Sequence, residues 1–152
     1  MTRRQILLAA FAIGLTLLAG AQAAPESTID LHAFKGKVVY VDFWASWCGP
    51  CRESFPWMQQ VQDKYRDKGL VIVGVNLDQD HQLAEDFLKV FRPQFKVVFD
   101  QKAQLAENFH LKGMPASFFI DRSGKVRFQH MGFRANERGD YEREIETLLA
   151  EK

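Results

Sequence analysis

The chain carries two cysteines, and they stand together in Cys48-Gly49-Pro50-Cys51. Thiols three positions apart at a helix start lie on one face, near enough to close a small disulfide ring. A helix N-terminus presents partial positive charge and free N–H groups, which favours a thiolate at Cys48. The chemistry open to such a pair is thiol–disulfide exchange, in which a thiolate attacks a disulfide sulfur and a mixed disulfide forms. The second thiol needs a proton acceptor when its turn comes. Asp42, about six residues upstream, is the candidate, because burial raises an aspartate pKa into a useful range.

Several elements must position these groups. Residues 38–44 are almost continuously apolar, the pattern of a central strand buried on both faces. Asp42 interrupts that run, and a carboxyl inside a core strand is costly unless paired or protonated. Residues 49–68 turn helical, with Phe55, Met58, Val61 and Tyr65 at core spacing. Pro56 cannot donate to the Arg52 carbonyl and predicts a kink. Lys68-Gly69 is a stop signal, and residues 70–75 form a second buried strand, completing a right-handed β-α-β unit.

Further on, Asp80 predicts an N-cap for a helix through residue 91, with Leu83, Phe87 and Val90 or Phe91 facing inward, and Pro93 ends it. Residues 97–99 read as a short strand. Residues 103–109 read as a short helix, closed by Lys112-Gly113. Residues 116–121 and 126–131 read as a hairpin about the turn at 122–125. A last amphipathic helix spans 137–150, with Tyr141, Ile145, Leu148 and Leu149 inward.

The N-terminus reads as an export signal. Arg3 and Arg4 precede an uncharged apolar run over residues 6–19, too short for a comfortable membrane span, and Ala21-Gln22-Ala23 fits the cleavage rule. The expectation is a signal over residues 1–23, a single domain over 24–152 and a periplasmic location. An uncleaved N-terminal membrane anchor is the alternative. In an exported protein one C-x-x-C pair cannot staple a fold together, so it reads as a working disulfide. Without Arg3 and Arg4, 18 basic residues face 19 acidic ones, which gives no reason to expect a nucleic-acid partner. His32, His81, His110 and His130 show no ligand spacing, so no metal and no cofactor are expected. His130 shares parity with Val126 and Phe128 and reads as half-buried.

Trp44-Ala45-Ser46-Trp47-Cys48-Gly49-Pro50-Cys51-Arg52, with Pro56 behind it and Gly113-Met114-Pro115 downstream, resembles the thioredoxin-fold thiol–disulfide oxidoreductases. More narrowly, the chain is similar to their exported TlpA/ResA-type branch. The resemblance implies an α/β thioredoxin fold. Its central mixed β-sheet is flanked by helices, with an extra segment between the second strand and the cis-proline strand. It implies that Cys48 is the exposed attacking cysteine, Cys51 the buried resolving one and Asp42 the buried acid. Pro115 matches the cis-proline facing the disulfide. Met114 precedes it, where a substrate strand would pair by β-addition. Trp47, Gly49 and Pro50 fall on the contact surface, and Asp78 is a further candidate acid. Trp44 and Trp57 read chiefly as packing, Trp57 with the rim as its alternative.

The partners implied are protein disulfides and a membrane-bound reductant, with the protein itself a monomer. Net reduction is the direction the Gly-Pro dipeptide implies, with cytochrome c maturation as one setting. A general disulfide oxidase or isomerase is the first rival. A metal- or haem-handling module using Cys48, Cys51 and Met114 is the second.

Overall fold

A computed structural model describes residues 29–151. The expected signal over residues 1–23 lies outside them. The elements run β1 (Val38–Trp44), α1 (Gly49–Tyr65), β2 (Leu70–Asn76), α2 (His81–Phe91), β3 (Lys96–Phe99), α3 (Gln104–Asn108), β4 (Ala116–Ile120), β5 (Val126–Met131) and α4 (Arg138–Ala150). They build one mixed sheet in the order β3-β2-β1-β4-β5. β1 pairs parallel with β2 and antiparallel with β4, so the strand leading to the cysteines is central and buried along its whole length. That position explains its near-continuous apolar composition. α2, β3 and α3 fill the extra segment between β2 and β4.

Side chains alternate across β1 and feed two cores. Tyr40 and Trp44 join Cys51, Phe55, Phe87, Tyr141, Ile145 and Leu148, so α1, α2 and α4 cover that face. Val39, Val41 and Phe43 join Leu105, Ala106 and Phe118 on the other. α1 remains one helix through Pro56 and tightens into a 3-10 turn over Arg66–Lys68. Gly69 ends it at φ 100°, a left-handed conformation suited to glycine. Gly74 in β2 has a different reason to lack a side chain. A Cβ there would lie 3.1 Å from Trp44 Nε1 and 3.3 Å from the Phe95 ring.

The expected face of α2 holds in part. Asp80 does cap α2, accepting from the Gln82 N–H at 2.9 Å. Phe87 is buried and Phe91 packs against the core, but Leu83 and Val90 are 49 % and 70 % exposed, and Ala84 faces inward instead. Phe87 stacks on Phe91 at 4.3 Å, and both lie under the Arg52 guanidinium.

The end of the sheet remote from the cysteines is tied by Arg122, in the β4–β5 turn. Its guanidinium donates to the carbonyls of Gly36 at 2.7 Å, Leu149 at 3.0 Å and Glu151 at 3.1 Å.

Candidate active site

Cys48 is the N-cap of the 17-residue helix α1, with no side-chain capping bond, and Pro50 sits in the first turn. A proline there removes an N–H that would have had no helical acceptor. Cys48 and Cys51 are joined in a disulfide, with Cα atoms 5.3 Å apart. Their exposures differ as their places on the helix dictate. Cys48 at the cap keeps 6 % of its surface and Cys51, one turn in, keeps none. The exposed cysteine implied by the resemblance is thus only a sliver in the disulfide state, its sulfur bonded to a buried partner.

Asp42 lies on the face of the sheet that carries the cysteine helix. It shares the side of β1 with Tyr40 and Trp44, the side covered by the helix that carries Cys51. It is 2 % exposed. Tyr40 donates to its Oδ1 at 3.3 Å, and its Oδ2 is buried with no hydrogen-bond partner. Burial pushes the carboxyl from 3.8 up to about 8, against a smaller downward pull from the Tyr40 hydroxyl. The result is a buried acid that changes protonation near neutral pH.

The peptide bond between Met114 and Pro115 is cis. The Pro115 carbonyl accepts from the Gly132 N–H at 2.8 Å, and the β4 ladder begins one residue later, at Ala116. Met114 is half-buried and packs against both cores. Trp47 is 68 % exposed and Met131, opposite Ala116, is 41 % exposed. Trp44 and Trp57 are both buried, so Trp57 is packing and does not reach the rim. Among the described residues no group of three His, Cys, Asp or Glu side chains is placed to hold a metal ion.

Residue types alone missed the network that holds the turn before Cys48. Asp78 is 1 % exposed. Its carboxylate accepts from the Ser46 N–H at 2.9 Å, the Ser46 hydroxyl at 2.8 Å and the Asn76 amide at 2.7 Å. From the other side, Arg52 donates to the Ser46 carbonyl at 3.2 Å. Asp78 is therefore tied to the backbone leading into the disulfide, while Asp42 is the acid on the Cys51 side. The available signal was a polar Asn-x-Asp step directly after a buried strand, but its partner lies 32 residues earlier. Asp78→Ala will leave the Ser46 and Asn76 donors without their acceptor and lower stability by about 2–4 kcal/mol. Urea unfolding at constant pH measures it, and a loss below about 0.5 kcal/mol would show the turn holds without the carboxylate.

The comparisons with known proteins agree with this geometry. The Redoxin family model matches residues 15–149. Thiol-disulfide oxidoreductase ResA of Bacillus thuringiensis subsp. konkukian is 35 % identical over 98 residues, covering 64 % of this chain and 57 % of that relative. ResA of Geobacillus kaustophilus is 30 % identical over 118 residues, covering 78 % and 67 %. The chain thus spans little more than half the length of the first of these curated relatives. Among solved structures, a provisionally named thiol:disulfide interchange protein DsbE from Chlorobium tepidum is 51 % identical with a TM-score of 0.77, covering 79 % of this chain and 85 % of that one. With its thioredoxin fold and its Cys48–Cys51 disulfide, the chain belongs to the Redoxin family, and within it is similar to the ResA-type thiol–disulfide oxidoreductases.

Proposed function

We propose that this protein is a thiol–disulfide oxidoreductase that reduces disulfides in other proteins. The single observation that carries the reading is a disulfide at the start of a long helix, with a buried carboxyl that titrates near neutral pH on the sheet face the helix covers.

The steps follow from the placement of the groups. In the dithiol form the Cys48 thiolate, favoured by the helix N-terminus, attacks one sulfur of a substrate disulfide. The other substrate sulfur leaves as a thiolate and takes a proton from water. The Cys51 thiol then gives its proton to Asp42 and attacks the Cys48 sulfur. The second substrate sulfur departs, and the Cys48–Cys51 disulfide is left. Two electrons have passed to the substrate, and an external dithiol must return them before the next cycle. Trp47 and Met131 expose apolar surface and Met114 precedes the cis-proline, and an extended substrate segment would lie against them. Gly49 keeps the backbone beside Cys48 open, since a Cβ there would meet nothing within 4 Å.

The leader-like pattern of residues 1–23 and the isolated redox pair support export to an oxidising compartment as the working location. A membrane-bound dithiol carrier fits as the reductant, and exported proteins such as apocytochrome c fit as substrates. A Cys51→Ala variant expressed in cells will accumulate mixed disulfides through Cys48, and their identification names the substrates. An empty trap would count against the reading. The reduction potential tests the direction. A value near −270 mV fits a reductase, and one near −120 mV would make the protein an oxidant.

A further inference from the structure

Asp42 must gain and lose a proton in every cycle, on the reading just given, yet it is sealed from water. The groups around it are unequal. On the β2 side its cross-strand partner is Gly74, walled by Trp44 and Phe95. On the β4 side its partner is Ser117, and the partner of Ser117 on β5 is His130. Directly opposed residues in antiparallel strands project to the same face about 4.5–5.5 Å apart. A polar row therefore runs one way only, from Asp42 toward the sheet edge. Exposure rises along it, from 2 % at Asp42 to 8 % at Ser117 and 24 % for the His130 side chain.

Contacts are seen at the two ends of the row, and the strand register spans the step between Ser117 and His130. The Tyr40 hydroxyl donates to Asp42 Oδ1 at 3.3 Å, and the Ser117 hydroxyl faces the same phenol oxygen. At the outer end His130 Nε2 meets Glu144 Oε2 of α4 at 2.5 Å, and that carboxylate is also 24 % exposed. The bond leaves Nδ1 as the remaining polar atom of the ring. The other neighbours of His130 are the rings of Phe119 and Tyr141, with the Glu137 carboxylate beyond, held by the Tyr141 hydroxyl at 2.9 Å. Facing Asp42 are Tyr40 on its own strand and Ser117 on β4, on the side of the sheet that α1 covers.

We propose that His130 and Glu144 are the solvent end of a proton path to Asp42 that runs through Ser117 and Tyr40. On the proposed cycle Asp42 takes the Cys51 proton, so the path carries a proton outward. The Asp42 carboxyl gives its proton to the Tyr40 oxygen, Tyr40 gives its own to Ser117, and Ser117 gives its own to the free ring nitrogen of His130. The net change is carboxylic acid to carboxylate and imidazole to imidazolium, with both hydroxyls restored. Return transfer runs in the donor direction seen at Tyr40. Histidine suits the outer station because its ring has two nitrogens, one held by Glu144 and one left to pass a proton.

The test isolates the step that consumes the path. A mixed disulfide is formed between Cys48 and a fluorogenic thiol, and its Cys51-dependent release is followed in a single turnover across pH 5–9. Ser117→Ala and His130→Gln will each slow release about tenfold near neutral pH. Cys48 alkylation rate and reduction potential will stay at wild-type values, and added imidazole will recover part of the His130→Gln rate. Ser117→Ala leaves the His130–Glu144 contact to α4 intact, so it separates proton transfer from helix docking. Wild-type release in both variants while Asp42→Asn is slow overturns the path and leaves the oxidoreductase reading standing. Wild-type release in Asp42→Asn as well would remove Asp42 from the mechanism and the path with it.

Discussion

Cys48→Ser will abolish disulfide reduction, a loss of at least about a thousandfold, because a serine hydroxyl is neither ionised at neutral pH nor an efficient attacker of sulfur. The fold will survive. The disulfide closes a very short loop and contributes about 2 kcal/mol at most by restricting the unfolded chain. Cys51→Ser will behave differently, since Cys48 can still attack. That variant will bind substrate covalently once and stop, giving a stoichiometric adduct in place of turnover. Intact mass after mixing with a disulfide-bonded protein distinguishes the two. Equal adduct from both variants would contradict the division of labour between the cap position and the buried one.

Asp42→Asn will make the protein more stable, and by an amount that depends on pH. The native carboxyl titrates at about 8 against 3.8 for the ordinary group. Between those values the folded state holds a proton that the unfolded state has released. The contribution of Asp42 to stability is therefore greatest below about pH 4, falls as pH rises through the interval and levels above about pH 8. Asparagine carries no such linkage. The stability difference will be smallest at pH 4 and grow to about 2–5 kcal/mol at pH 8, less than the full shift because a buried charge draws in water. The same variant will be slow in resolving a Cys48 mixed disulfide. Denaturant midpoints at pH 4, 6 and 8 check the first effect, and a constant difference would show that Asp42 is not buried as an acid.

Much of this site is legible along the chain because it is local. The strand 38–44, the turn and the helix bearing both cysteines are contiguous, and each has a strong pattern. The cis-proline segment was found through its resemblance to a known family. What could not be read depends on packing between distant segments. The apolar residues of α2 leave the exact inward face open, and packing of Phe87 and Phe91 on Trp44 and Phe55, from distant segments, sets it. Asp78 looks like a loop acid until Ser46 arrives from 32 residues away. Tyr40 was readable as a neighbour of Asp42 by strand parity. The row from Asp42 to His130, however, needs the register of two antiparallel pairings that no local pattern states.

The central strand is made early on the ribosome but is flanked by β2 and β4, both synthesised after it. Arg122 then joins residue 36 to residues 149 and 151. A nascent chain therefore holds one edge of its central strand unpaired until β4 emerges, and the Arg122 tie waits for residue 151. Until then that edge is a template on which another strand can pair.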